Sequence, residues 1–227
     1  YQFRYPQQLY AHFTDIPPLV AGSLLFIENR HLLDSEQAQA NPAVDWPRFA
    51  KAALSQLGKN FAIQEQSAGG STLATQLEKY RHSPDGLTLS AMEKLRQMVS
   101  ASVRAYQQGP DSFAARQAIV RDYLNSVPLS AAPGHGEVHG LADGLRVWFG
   151  ADFVQVNALL DPTRMPMASS ADRGLALRQV LALKIAQRRP SYYLAQGRKE
   201  LESLTDSHIR VLASGGVIGW TLRDAAL

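Results

Sequence analysis

The residues best placed to do chemistry are Glu28, with Asn29 behind it, and the run Gly69-Gly70-Ser71-Thr72. Glu28 closes an apolar stretch from Gly22 to Ile27, which is entered through Ile16-Pro17-Pro18-Leu19-Val20. Burial at the end of such a stretch penalises the charged form of a carboxylate, a tuning that suits general-base work near neutrality. The plainer alternative is a carboxylate satisfied at a helix end, since half-buried acids serve structure more often than chemistry. The Gly-Gly pair lets backbone approach a ligand closely.

The elements that must position these groups read as helices. Asp45-Trp46-Pro47 caps and opens one, with Phe49, Ala53 and Leu57 repeating at helical spacing and Gly58 closing it. Ser71 is placed to cap a second, which carries Leu73 and Leu77. Ser90 with Glu93 forms a capping-box pattern, and Leu95, Val99 and Val103 keep helical spacing to Tyr106. Gly109-Pro110-Asp111 breaks the chain before a helix over 112–125 with Ile119 and Tyr123 on its inward stripe. Another is expected from Glu137 to Phe149, terminated by Gly150. The segment Asp152 to Asp172 reads as an irregular insertion, and Leu175 to Arg188 and Leu194 to Leu212 as two long helices. No run alternates cleanly enough to predict a sheet.

Composition narrows the function classes. At 227 residues the chain can bury one full core without disulfide or metal, and a single domain with two lobes over 1–227 is expected. Forty-five per cent of residues are hydrophobic and 19% charged, which leaves part of the surface to be apolar by use. A net charge of +3 and a pI near 9.2 suit an anionic ligand such as a phosphate, whereas no Lys/Arg block supports nucleic acid. There is no cysteine, hence no disulfide or thiolate metal site, which is compatible with the periplasm. The apolar run Leu19 to Ile27 is too short to span a bilayer, and the polar opening suggests a piece excised from something longer.

The order of segments resembles the peptidoglycan glycosyltransferases, the lysozyme-like domains of bifunctional penicillin-binding proteins and monofunctional transglycosylases. That family opens with Ile-Pro-Pro leading into Glu-Asp-x-x-Phe, similar here to Ile16-Pro17-Pro18 leading into Glu28-Asn29-Arg30-His31-Leu32. Its Gly-Gly-Ser-Thr-Ile-Thr-Gln-Gln-Leu motif resembles Gly69-Gly70-Ser71-Thr72-Leu73-Ala74-Thr75-Gln76-Leu77. Its Arg-Lys-x-x-Glu falls on Glu93 to Gln97, its Lys-x-x-Ile-Leu-Glu-x-Tyr-Leu-Asn on Arg116 to Asn125, and its Tyr-Phe-Gly on Trp148-Phe149-Gly150. A later Pro-Ser-x-Tyr element is echoed by Pro190-Ser191-Tyr192-Tyr193. The resemblance implies a mainly α, lysozyme-like two-lobed fold and transfer of a lipid-linked disaccharide-peptide onto a glycan chain with inversion.

It also implies roles. Glu28 would take the proton of the acceptor hydroxyl. Lys94, Arg96, Lys79 and Arg30 would supply fixed positive charge near the leaving pyrophosphate, and Ser71, Thr72, Gln76 and Asn125 would hold substrate. Gln97 stands at the family's second catalytic glutamate. The family's setting is the periplasm or outer face of the cytoplasmic membrane, with an anchor outside this chain. Its membrane-dipping region lies between the first two motifs, where Leu32 to Ala68 is not conspicuously apolar. A divalent cation can assist in the family, although no protein-ligated metal site is evident in this sequence.

The departures define the rival reading. Gln97 replaces Glu and accepts no proton, Asn29 replaces Asp, Glu93 replaces Arg, and Arg121 stands where a Glu is usual. Ala74 and Thr75 also differ from the second motif. The alternative is a binding or scaffold module that keeps the fold and a glycan or lipid-pyrophosphate groove. A hydrolase would want a second carboxylate roughly 5 to 9.5 Å from Glu28; Asp34, Glu36 and Glu65 are the nearest in sequence. His135-Gly136-Glu137-Val138-His139 has metal-like spacing only on a helix, against which its glycines argue. Trp148, Tyr192 and Tyr193 read as core rather than sugar platforms. Neither a Ser-x-x-Lys with Lys-Thr-Gly nor a Gly-x-Ser-x-Gly is present, so no transpeptidase or serine-hydrolase site is expected.

Overall fold

A computed structural model describes residues 8–44, 72–82 and 90–227. Its helices are α1 (Pro18–Glu28), α2 (Leu73–His82), α3 (Ala91–Ala105), α4 (Phe113–Ser126), α5 (Gly140–Phe149), α6 (Phe153–Leu159), α7 (Ser170–Ala186), α8 (Arg198–Ser214) and α9 (Trp220–Ala226). The expected helix within 45–58 lies outside the described residues. The chain is mainly helical, as predicted. It divides into two compact units, one of Tyr1–Ile27 with Val120–Leu227 and one of Glu28–Ile119.

The larger unit is built around α7. Ser169 caps it, accepting from the Asp172 N–H at 3.1 Å. The helix buries Leu177, Val180, Leu181, Leu183 and Ile185 and packs against α5, α6, α8 and α9. At Gly174 an added Cβ would strike the Ala225 carbonyl, so α9 lies close only because this residue has no side chain. Lys184 is buried on the same helix and donates from Nζ to the Val20 carbonyl at 2.6 Å and to Ser23 Oγ at 2.8 Å, both on α1. Burial pushes its amine down to about 7. As a neutral amine it has two N–H donors, matching these two acceptors.

Several expectations fail locally. Pro128–Ala132 and Gly136–His139 form an antiparallel hairpin, β1 and β2, where no sheet was predicted. The strands are too short to show alternation, and the register shifts between Pro128 and Ala131. The predicted helix from Glu137 therefore starts at Gly140, whose φ of 74° and closeness to the Asn125 carbonyl leave no room for a Cβ. The supposed insertion 152–172 contains α6, capped by Asp152 accepting from Gln155 N–H at 2.7 Å. The helix expected over Leu194 to Leu212 is present from Arg198 as α8, its start replaced by a π turn, Tyr192–Gln196, and α9 beyond Gly215-Gly216 was not foreseen.

The described residues of the smaller unit bury Leu32, Leu73 and Leu77 and are joined by polar ties. Ala43, Ala74 and Ala101 form its buried cluster, with Val44 and Ile119 against it, and α2 packs on α3. Buried Arg116 donates to the carbonyls of Leu32, Asp34 and Gln37 at 2.8, 3.1 and 2.7 Å, which fixes the loop leaving Glu28. Ser112 Oγ adds a bond to the Ala40 carbonyl at 2.6 Å.

Candidate active site

Glu28 is the last residue of α1 and is half-buried. A helix C-terminus presents the negative end of the peptide dipoles, so structure alone gains little from a carboxylate there. The chain turns away immediately, because Asn29 Oδ1 accepts from the His31 N–H at 3.1 Å. The family-like Asp is thus replaced by a residue that shapes the exit from α1.

One side chain of α2 reaches this carboxylate and a second feels its charge. Gln76 Nε2 approaches Glu28 Oε2 at 3.5 Å, a long contact. Tyr80 lies one turn further on the same helix face. Burial, and after it the negative charge of Glu28, push the Tyr80 phenol up to about 12, which keeps it protonated. Tyr80 was missed in the sequence, where only its i, i+4 relation to Gln76 signalled it. Lys79 is half-buried beside it.

Thr72 is buried, and its hydroxyl accepts from the Thr75 N–H at 3.3 Å, the geometry of a helix cap. Thr75 Oγ1 returns a bond to the Thr72 carbonyl at 2.9 Å. Ser71, and with it the predicted Ser71 cap, falls outside the described residues, as does Glu65.

On α3, Ser90 caps the helix as predicted, accepting from the Glu93 N–H at 3.1 Å. Gln97 turns inward and is buried, whereas Glu93, Lys94 and Arg96 are exposed. Between α2 and α3 sits a carboxylate that no motif suggested. Glu78 is buried and takes bonds from Arg81 Nη1 at 2.8 Å, Arg104 Nε at 2.9 Å and Ser100 Oγ at 2.7 Å. Burial alone would raise its pKa, but the Ser100, Arg104 and Arg81 hydrogen bonds and the Arg104 charge hold it below the usual carboxylate range. Such an acid anchors two helices and makes a poor proton acceptor.

The remaining candidates have other neighbours. Arg30 is exposed just beyond α1. Asn125, in the larger unit, accepts from the Tyr10 N–H at 3.0 Å and donates to the Tyr10 carbonyl at 2.9 Å, so both ends of its amide hold backbone. Asp34 accepts from the Glu36 N–H at 3.0 Å and from Gln37 Nε2 at 3.1 Å, closing a turn. Glu137 and His139 alternate along a strand rather than along a helix, 3.3 Å apart. Among the described residues no three His, Asp or Glu side chains gather to hold a metal ion.

This arrangement meets its family at the level of the whole chain. A family model described as Transglycosylase matches residues 1–214. The chain belongs to the transglycosylase family and is a peptidoglycan glycosyltransferase-like domain, of a family that acts on peptidoglycan outside the cytoplasm. None of the curated proteins matches it.

Proposed function

We propose that this domain transfers a lipid-linked disaccharide-peptide onto a glycan chain, with Glu28 as the general base. The observation that carries the reading is the approach of Gln76 to Glu28 at the end of α1, where the carboxylate's charge also acts on the Tyr80 phenol. The Glu28 carboxylate takes the proton of the acceptor 4-hydroxyl as its oxygen bonds to the anomeric carbon of the donor. The bond from that carbon to the diphosphate breaks on the opposite face, and the lipid diphosphate leaves with the electron pair. Gln76 and Tyr80, both donors, orient the carboxylate or a sugar oxygen. Lys94 and Arg96, with Lys79 and Arg30, offer positive charge to the leaving diphosphate, and Ser71 and Thr72 are assigned to hold substrate oxygens. Asn125 acts by holding backbone at Tyr10. The setting is the periplasm or the outer face of the cytoplasmic membrane, and the domain is one part of a longer, membrane-anchored protein.

One observation favours a second reading, in which the domain binds the same substrate without turning it over. Gln97 cannot ionise, and Glu78, the buried acid between α2 and α3, is already committed to two arginines. The two readings separate in one experiment on the purified chain: glycan polymer formation from lipid-linked disaccharide-peptide, beside direct binding of the same substrate. Polymer from the native chain, increased by Gln97→Glu, supports the transferase. Binding without polymer, unchanged by Gln97→Glu, supports the binding module. Absence of both would sink each reading.

A further inference from the structure

Lys184 lies within the apolar run of α7, between Leu183 and Ile185, and is 6% exposed. A lysine in that place opposes folding, because its long side chain loses rotamer freedom and its amine loses water. Burial has already drawn the amine down to about 7. An apolar side chain of similar volume would be neutral or stabilising at such a position. The reason for a lysine there must lie in what the amine holds.

It holds α1. Nζ donates to the Val20 carbonyl at 2.6 Å and to Ser23 Oγ at 2.8 Å. Neither acceptor depends on it. The Val20 carbonyl stands inside α1, where the helical ladder supplies a donor, and Ser23 Oγ itself donates to the Leu19 carbonyl at 2.6 Å. The two bonds are therefore additions to a helix already satisfied, and what they add is direction.

Direction is what α1 otherwise lacks. Apart from Ser23 and Glu28 its side chains are apolar on every side, so non-directional burial favours no single rotation strongly. Val20, Ala21, Ser23 and Leu24 are buried, whereas Leu25, Phe26 and Ile27 are half-buried. Beyond the amine, the Phe26 ring rests on Gly215, where a Cβ would strike it. Glu28 follows Ser23 by five residues, roughly 7.5 Å of helix. A turn or slip of α1 at Ser23 is carried to the carboxylate.

We propose that Lys184 is a positioning residue, whose bonds to Val20 and Ser23 fix the rotation and register of α1 and thereby the place of Glu28. For its catalytic consequence the inference rests on the reading of Glu28 as the base, while the hold on α1 is independent of turnover. Small displacements of a base from the hydroxyl it serves cost rate rather than binding, because proton transfer needs close and aligned atoms.

The test compares the native chain with Lys184→Met, Ser23→Ala and the double variant, above pH 7 where the amine is neutral. Hydrogen exchange of the α1 amides, melting temperature and polymer formation from lipid-linked disaccharide-peptide are measured on each. Lys184→Met should melt no lower than the native chain, since methionine fills the space without an amine to bury. It should exchange the amides of Leu24 to Glu28 at least about tenfold faster, and lower kcat at least about tenfold with KM unchanged. Ser23→Ala keeps the Val20 bond, so its effects should be smaller and should add little to those of Lys184→Met. A lysine that served only the fold would instead lower the melting temperature and speed exchange along α7 as well, and that result overturns the proposal. So does unchanged exchange over Leu24 to Glu28, or a native kcat in both single variants. Faster exchange with no polymer from any of the proteins would break the proposed function and leave the hold on α1 standing.

Discussion

Helices α7 and α3 are similar in length and opposite in design. α7 buries Leu177, Val180, Leu181, Leu183 and Ile185, with Lys184 beside them, whereas α3 buries Ala101, Ala105 and Gln97 and leaves Leu95, Val99 and Val103 exposed. The first helix is held by the area its side chains remove from water. The second is held by close packing of alanines against α2 and by the Glu78 ties. Apolar periodicity thus marks the core in one unit and an exposed face in the other, and the same α2–α3 pair carries Gln76, Tyr80 and Gln97.

The contrast is open to attack by substitution. Leu181→Ala in α7 is expected to cost about 3 kcal/mol in denaturant unfolding, because a buried side chain leaves a cavity. The matching Val99→Ala in α3 should stay within about 0.5 kcal/mol, and a loss as large as that of Leu181→Ala would show that α3 packs outward after all. Glu78→Gln should cost about 2 kcal/mol, less than a fully buried pair because both arginine partners are partly exposed. An unchanged melting temperature would remove Glu78 as the tie between α2 and α3.

A smaller effect concerns Lys184, which joins α7 to the helix that ends on Glu28. Its amine titrates near 7 in the fold against 10.5 when exposed, so between these values the unfolded chain binds more protons than the folded one. Stability should therefore rise with pH from about 7 towards 10 by comparison with Lys184→Met. Below that window both states are protonated and the cost of burying the charge is felt in full. Parallel pH profiles for the two proteins would place a charged, compensated ammonium at this site.

Much of the architecture was legible where local chemistry decides it. Ser90 and Glu93 gave the start of α3, Gly150 the end of α5, and Ile119 and Tyr123 the inner stripe of α4. The hairpin escaped because Pro128–Ala132 and Gly136–His139 are too short for alternation to appear. α6 was hidden by the prolines and methionines that follow it, although Asp152 and Gln155 carry its cap. At the site, Glu28 and Gln76 stood in recognisable motifs. Tyr80 and Glu78 did not, because their roles arise only when α2 meets the end of α1 and the inner face of α3. The direction of the α3 stripe was equally out of reach: spacing defines a face, and only packing says which way it points.

The account depends most on Glu28. Its direct test is the rate of glycan polymer formation from lipid-linked disaccharide-peptide by the native chain and by Glu28→Gln, which differ by a single proton-accepting oxygen. The reading predicts product from the native chain and a loss of at least about a hundredfold in the variant, the scale of a removed general base, with substrate binding retained. Equal rates in the two proteins would contradict it.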